Sequence, residues 1–170
     1  TLATDPPSVN APSGQGWYDS GTSASISTAQ YADIVPGSSR YRFNRWTTTD
    51  MSEIADVSAT STTVLMDKAK TVTANYVTQY YVTFAVNPSG AGSTSPGTDW
   101  RDAGSTSISA TANPGYVFSS WASSTSSFTF DDSTKASTTA TISGPGTITA
   151  NFLIETTVTY SGAETGEYSD

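Results

Sequence analysis

The side chains that most often perform acid–base, nucleophilic or metal chemistry are scarce in this sequence. It contains no His and no Cys, which removes the commonest general base, the commonest neutral metal ligand and any disulfide or thiolate metal site. The neighbouring carboxylates Asp131 and Asp132 are candidates for Ca²⁺ binding through oxygen ligands. Because they lack a recurring Asp-x-Asp-x-Asp spacing, a solvated loop is the favoured interpretation. We expect a protein with no metal and no cofactor.

Two further kinds of covalent chemistry have little support in the sequence. Nothing places two carboxylates across a cleft, as a glycosidase requires. An intramolecular Lys–Asn crosslink would have to use Lys68, Lys70 or Lys135. It is kept as a minor alternative, and the sequence predicts that the protein is not an enzyme.

Four tryptophans are the other residues that draw attention to function, because aromatic faces stack on sugar rings. Each occupies an equivalent place in two copies of an internal repeat, and this favours packing over a grafted binding site. A buried Trp also needs a partner for its ring N–H, which nearby turns can supply. We therefore expect a repeat core that contains Trp17, Trp46, Trp100, Trp121, Phe43, Phe118, Tyr76 and Phe152.

Composition restricts the partners and the compartment. The 170 residues carry a net charge of −8, and about a third of them are Ser or Thr. An acidic chain is a poor nucleic-acid partner, because phosphate binding requires clustered Lys and Arg. No apolar run is long enough to cross a bilayer. The chain starts at Thr1 and not at Met, so we expect secretion after removal of a signal peptide, a cell-surface location, and hydroxyls that leave O-glycosylation open.

An internal repeat organises the chain. Tyr41–Trp46 matches Tyr116–Trp121, and Thr71–Tyr76 matches Thr147–Phe152. A third match joins the segment that starts at Trp17 to the one that starts at Trp100, with an Asp-x-Gly turn in each. The first copy carries about eight extra residues, around Tyr31 to Arg40. The sequence therefore predicts two tandem units with one insertion.

Alternating β-branched or aromatic and polar residues indicate strands in both copies. Strands are predicted at Val72–Tyr76, Val82–Val86 and Ile148–Phe152, and Gly- and Pro-rich turns separate such segments. Short strands at regular spacing predict an all-β fold of two tandem β-sandwich-like units. The predicted boundaries are 1–78 for unit one and 79–155 for unit two, followed by an extra C-terminal strand at 156–162 and an acidic tail at 163–170.

Two segments, Gly115–Trp121 and Met66–Tyr76, carry a resemblance to a known family. The first has the form Gly-Tyr-x-Phe-x-x-Trp, and the second has the form Met-Asp-x-x-Lys-x-Val-Thr-Ala-Asn-aromatic. The chain resembles the divergent internalin-type B-repeat of bacterial and archaeal surface proteins over nearly its whole length. That resemblance implies an extracellular β module without catalytic residues, of the kind found in adhesins, envelope proteins and archaeal sheath-like polymers.

The chain is out of phase with its own repeat. Residues 156–162 match the opening strand of unit two and so begin a third copy, whereas unit one is expected to have lost most of its own opening strand before Thr1–Ala3. Such an open edge invites strand addition. We expect an assembly strand formed by Thr156, Thr157, Val158, Thr159 and Tyr160, and an acceptor region formed by Thr1, Leu2 and Ala3. The strand acts either within one molecule or between molecules.

Opposite charges at the two ends favour head-to-tail encounter. The basic residues are Arg40, Arg42 and Arg45 of unit one, and the acidic ones are Glu164, Glu167 and Asp170 of the tail. A head-to-tail contact that does not close propagates into a filament or sheath. The leading hypothesis is therefore a self-assembling subunit of an extracellular sheath, surface layer or filament. The alternative is an adhesin or a carbohydrate- or protein-binding β module, with the insertion near Tyr31–Arg40 as its binding loop.

Overall fold

The protein is built from strands, as the alternating pattern predicts. The computed structural model describes residues 1–7 and 9–156, and none of these forms a helix long and apolar enough to span a membrane. One turn of 3₁₀ helix lies at Met51–Glu53. The strands are β1 (Leu2–Asp5), β2 (Thr22–Ser27), β3 (Tyr31–Val35), β4 (Ser39–Thr47), β5 (Ser61–Met66), β6 (Val72–Asn87), β7 (Gly92–Ser95), β8 (Asp99–Asp102), β9 (Gly104–Ala112), β10 (Tyr116–Ser123), β11 (Phe128–Phe130), β12 (Ser137–Ile142) and β13 (Gly146–Ile154).

Strand β6 belongs to both units. The two strands predicted at Val72–Tyr76 and Val82–Val86 are halves of this one 16-residue strand. Its first half pairs with β4 and, in parallel, with β1, whereas its second half pairs in parallel with β13. The closing strand of unit one therefore runs without a break into the opening strand of unit two, and the two units share one seven-stranded sheet.

Each unit is a two-layer sandwich, which confirms the predicted fold class. In unit one, the β2–β5 pair covers its half of the shared sheet, and in unit two the sheet β11-β12-β9-β7 does so. Inward-facing side chains of the two layers pack together into two separate cores. Ala24, Ile26, Val64, Val72 and Ala74 belong to the first core, and Ile108, Ala140, Ile142, Ile148 and Ala150 belong to the second.

Trp46 and Trp121 occupy equivalent places in the two cores, as predicted. They are 0% and 4% exposed. The ring nitrogen of Trp46 donates to the Ala59 carbonyl at 2.8 Å, and that of Trp121 donates to the Lys135 carbonyl at 3.1 Å. Each indole also packs at a tilt against the phenylalanine three residues before it, Phe43 or Phe118. A large apolar ring is thus buried in each unit without an unpaired donor.

The opening strand of unit one is present in part, as the four residues of β1. Leu2 in β1 pairs with Val72 in the way that Phe84 pairs with Ile148. Thr1–Ala3, expected to accept a strand, therefore already lies on β6, with the Thr1 ammonium donating to the Lys70 carbonyl at 2.9 Å. In unit two the opening strand also includes residues before Phe84. That earlier part of the strand has no counterpart among the described residues of unit one.

The insertion of unit one folds as a hairpin. β3 pairs antiparallel with β4 and extends the shared sheet by one strand. Its outer residues Ile34 and Val35 are 43% and 53% exposed. Because both arms of the hairpin are hydrogen-bonded, the insertion is an edge strand of the sheet and not the loop that the adhesin alternative assumed.

Candidate functional site

A cation–π sandwich joins the inserted hairpin of unit one to unit two. The guanidinium carbon of Arg40 lies 3.8 Å from the ring centroid of Tyr31 and 4.1 Å from that of Trp100. Tyr31 belongs to the insertion, and Trp100 belongs to β8 of unit two. Each such contact contributes about 0.5–1 kcal/mol at a partly exposed site. Arg40, predicted as an electrostatic contact, therefore acts within the molecule.

Beside this sandwich lies a polar network that crosses the same boundary. Arg42 donates to both carboxylate oxygens of Asp102, at 3.3 and 2.8 Å. The buried Gln79 donates its amide N–H to Asp102 at 2.7 Å and accepts from Arg40 at 2.9 Å. These hydrogen bonds, led by the one from Arg42, lower the pKa of Asp102, and the same pair raises the pKa of Arg42.

Strand β8 brings Trp100 into this boundary. It pairs antiparallel with the middle of β6, Gln79 opposite Asp102 and Tyr81 opposite Trp100. The rings of Tyr81 and Trp100 meet edge to face, with 5.5 Å between centroids. In unit two, therefore, the Trp segment is fixed by a strand partner, an aromatic neighbour and a cation.

The matching segment of unit one, Gly16–Asp19, has no strand partner among the described residues. Trp17 is 102% exposed, and its neighbour Tyr18 is 40% exposed. The prediction that Trp17 belongs to the repeat core is therefore wrong. In unit two the Gln79–Val82 part of β6 lies beside Asp99–Asp102, and no strand of the described residues lies beside Gly16–Asp19 in the same way.

A pocket of about 440 Å³ opens beside this unpaired segment. Its lining includes Thr1, Trp17, Tyr18, Met66 and Lys70. Aromatic, apolar and cationic residues thus line one cavity.

Lys70, which lines this pocket, is held by two carboxylates. Its side chain is 3% exposed, and its ammonium lies 2.6 Å from a Glu53 carboxylate oxygen and 2.7 Å from one of Asp67. The hydrogen bond from Lys70 holds the pKa of Asp67 down at about 2. In unit two the corresponding residue is Gly146, where a Cβ would lie 2.9 Å from the Phe128 ring. Lys70 is thus an ion-paired structural residue of unit one, and its described partners include no Asn side chain.

The opposite end of the molecule exposes apolar residues at the end of β13. Leu153 and Ile154 are 60% and 68% exposed, whereas Val77, at the place of Leu153, is partly buried. Thr156 is exposed and lies beyond the end of β13. The remaining predicted assembly and tail residues, Thr157, Val158, Thr159, Tyr160, Glu164, Glu167 and Asp170, lie outside the described residues.

The loop that holds Asp131 and Asp132 is a repeated turn. Asp132 accepts from the backbone and the hydroxyl of Thr134, which together lower the pKa of its carboxyl. Asp56 makes the same pair of bonds to Ser58 in unit one. Because the two copies share this turn, its carboxylate has a structural task in each, as the solvated-loop interpretation expects.

The other predicted residues divide between the cores and the surface. Phe43, Tyr76 and Phe152 are buried, and Arg45 is exposed. Phe118 is partly buried and packs on Trp121 and Phe152.

Sequence reasoning missed Gln79 and Asp102, which connect the two units at the junction. A signal for them exists, because Gln79 and Arg42 are aligned with Glu155 and Val117 in the second copy. Such a difference between repeats marks a contact that only one copy makes.

The sequence profile of the divergent InlB B-repeat domain matches residues 8–79 and again residues 82–156. No curated protein and no solved structure matches the chain. Both matched segments contain one complete core, with its buried Trp.

Proposed function

Since the chain belongs to the divergent InlB B-repeat family, and is a surface-associated repeat module, we propose that it is a structural subunit of an extracellular polymer. The polymer is a sheath, surface layer or filament, and its subunits join by β-strand addition. The protein is secreted to the cell surface and works without a cofactor. Its partner is a second copy of the same chain.

One observation carries this proposal, namely the difference between the two Trp segments. The segment of Trp100 pairs with β6, whereas that of Trp17 is exposed and has no strand partner among residues 1–7 and 9–156. Each segment is followed by an Asp-x-Gly turn, in which Gly21 and Gly104 take φ values of +85° and +109°. An exposed backbone edge beside a large aromatic ring supports strand addition from outside.

The exposed apolar residues at the end of β13 also support strand addition, because they would supply the other half of a joint between two copies. Burying a side chain such as Ile154 and the ring of Trp17 at a joint would stabilise it by roughly 1.5–3 kcal/mol each before ordering costs. One end of the molecule would thus meet the other, and a contact of that type propagates instead of closing. Head-to-tail polymers follow from it.

Truncation tests the proposal. We expect the full chain to form extended particles in electron micrographs and to grow in light scattering with concentration. A chain that ends at Glu155 should stay monomeric, and a peptide of residues 156–162 should bind to it. A chain that ends at Gly162 lacks the acidic tail alone and is the matched control. Polymers formed equally well by the chain that ends at Glu155 would overturn strand addition.

The pocket beside Trp17 favours a second candidate, a carbohydrate-binding module of an adhesin. A fully exposed Trp and a half-exposed Tyr over a pocket of about 440 Å³ form a surface on which a sugar ring can stack. Glycan-array binding by the monomeric truncated chain, lost in Trp17→Ala and kept in Trp100→Ala, would support this function. Absence of glycan binding in both proteins would remove it.

A further inference from the structure

A groove of about 620 Å³ opens at the inner junction, where unit one meets unit two. Arg42 of unit one lines it, together with Trp100, Arg101 and Asp102 of β8. The groove is separate from the pocket beside Trp17, because the two share no lining residue. All of its lining lies between residues 42 and 107. Its walls therefore do not depend on either end of the chain.

Two positive charges and one negative charge line this groove. The Asp102 carboxylate is already neutralised by Arg42, at 2.8 Å, and it also accepts from Gln79 at 2.7 Å. No carboxylate of the described residues forms an ion pair with Arg101. The neighbouring Asp99 accepts the backbone N–H of Trp100 and does not line the groove. In a protein whose net charge is −8, the groove thus holds a cation without a carboxylate partner.

The Arg101 guanidinium also has unused hydrogen-bond donors. Its Nη2 donates to the Gly97 carbonyl at 2.7 Å, whereas its Nε is buried without a hydrogen-bond partner. It is the single side-chain atom of this kind in residues 1–7 and 9–156. A buried donor without a partner costs stability, so it calls for an acceptor that the chain itself does not supply. An anion that draws the guanidinium toward the groove would supply that acceptor.

Hydroxyl groups form much of the remaining lining. Ser95, Ser105 and Ser107 are exposed along the groove, and the apolar lining is limited to Trp100 and two small residues. Serine hydroxyls can donate to and accept from the hydroxyls of a sugar. A peptide would instead anchor itself chiefly through large side chains in apolar pockets. The lining therefore favours an acidic sugar over an acidic peptide.

The two arginines belong to one copy of the repeat only. Tyr18 stands at the place of Arg101, and Val117 stands at that of Arg42. Residues that hold each unit together recur in both copies, as the buried tryptophans do. Arg42 has a separate task, because it connects the units through Asp102. Arg101 has no such partner, so its cation is available to a ligand.

We propose that this groove binds an acidic glycan. Carboxylates of the glycan pair with Arg101 and Arg42, because a guanidinium offers a carboxylate two parallel N–H groups. Ring hydroxyls of the glycan bond to the serines. A polymer of uronic acids carries a carboxylate on every ring, so a short stretch of it can meet both guanidiniums. The site goes beyond the proposed function and does not depend on how copies of the chain join.

Isothermal titration calorimetry of the full chain with a short oligogalacturonate tests the site. Binding should be strongest at low salt and weaken as NaCl is added, because ions screen the exposed charges. Arg101→Ala should weaken binding by about tenfold to a hundredfold, as the loss of hydrogen bonds between charged groups predicts. Arg45→Ala removes the same charge from an exposed position outside the groove and should bind as the unchanged protein does.

A second variant guards against loss of the fold. Arg101→Gln keeps a side-chain N–H donor and removes the charge, and it should also bind weakly. Thermal melts check that both variants are folded. Oligogalacturonate should raise the melting temperature of the unchanged protein and of Arg45→Ala, because a ligand stabilises the state that binds it. It should leave that of Arg101→Ala where it was. Binding by a folded Arg101→Ala or Arg101→Gln as tight as that of the unchanged protein overturns the site.

Two further probes identify the ligand class. Maltohexaose offers the same kind of rings without charge, and equal binding of maltohexaose would show that the arginines do not select the ligand. Oligoglutamate offers carboxylates on a peptide, and tighter binding of oligoglutamate would assign the groove to acidic peptides. Either result overturns the proposal, as does absence of oligogalacturonate binding at low salt.

The outcomes also separate this site from the functions proposed above. Oligogalacturonate binding that is abolished in Trp17→Ala and kept in Arg101→Ala would place the sugar in the pocket of unit one and overturn the junction site. Binding that is lost in Arg101→Ala, in a protein that does not polymerise, would support the groove and contradict strand addition alone.

Discussion

Arg42 of unit one donates two hydrogen bonds to the carboxylate of Asp102 of unit two, one to each oxygen, and the shorter of them is 2.8 Å long. A planar guanidinium binds a carboxylate in a fixed orientation, and a lysine would not do so. The contact lies beside the shared strand β6, so covalent continuity, a common sheet and a directional ion pair all connect the two sandwiches. The inner junction is therefore specified by several independent contacts.

The inner junction should couple the unfolding of the two units. Arg40→Ala removes the cation between Tyr31 and Trp100 and should lower the free energy of unfolding by about 1 kcal/mol. It should also broaden the denaturation curve, because the units then unfold less cooperatively. Arg45→Ala removes an exposed arginine of the same strand and is the matched control. Urea titrations followed by fluorescence make the comparison, and equal losses in the two variants would contradict the role assigned to Arg40.

Tryptophan replacements should have effects that follow position and not residue type. Trp46→Ala and Trp121→Ala each leave a cavity in a small core and should cost about 3–5 kcal/mol. Trp17→Ala removes a fully exposed ring and should change the stability of the monomer by less than about 0.5 kcal/mol. Thermal melts of the three variants at a concentration where the protein is monomeric provide the test. A large loss in Trp17→Ala would mean that this ring packs in solution after all.

Those contrasts show what the sequence could and could not predict. Repeat alignment placed Trp46 and Trp121 in equivalent cores, because a buried residue is fixed by contacts inside its own unit. It misplaced Trp17, because the environment of that residue depends on a strand that β6 supplies in unit two and that is not found among the described residues of unit one. The junction was missed for a related reason. Gln79 and Asp102 lie 23 residues apart, and only the continuity of β6 brings them together.

Unit one should depend on its buried ion cluster. Lys70→Met leaves Glu53, whose side chain is 9% exposed, without its main partner, and this should cost about 3–5 kcal/mol. Combining Lys70→Met with Glu53→Leu should recover much of that loss, because an apolar pair no longer carries an unpaired charge. Lys68→Met, at a side chain that is 60% exposed, is the control with little expected effect. If the double variant is no more stable than Lys70→Met, the loss does not come from the unpaired charge of Glu53. The ion pairs of Lys70 would then be needed for the local fold itself.

Acid should weaken the fold in a window that Asp67 defines. Its pKa is lowered from 3.8 to about 2, chiefly by the hydrogen bond from Lys70. The unfolded chain therefore binds more protons than the native one between pH 4 and pH 2. The stabilisation is complete above that window and is lost as the pH falls through it. Melting temperatures measured from pH 5 to pH 2 should fall less steeply in Asp67→Asn, and Asp33→Asn on the exposed hairpin should follow the unchanged protein.

The fluorescence of Trp17 should report assembly directly. In the monomer its ring is fully exposed, whereas Trp46 and Trp121 are buried and Trp100 is partly covered. If an incoming strand takes the place that β6 takes in unit two, Trp17 gains the neighbours that Trp100 has and loses water. Its emission should shift to shorter wavelength as the protein assembles. The comparison is made with Trp17→Phe, which keeps an aromatic ring at the acceptor and should assemble without that shift. A shift of the same size in Trp17→Phe would place the change at another tryptophan, and assembly without any shift in the unchanged protein would show that copies meet through a different surface.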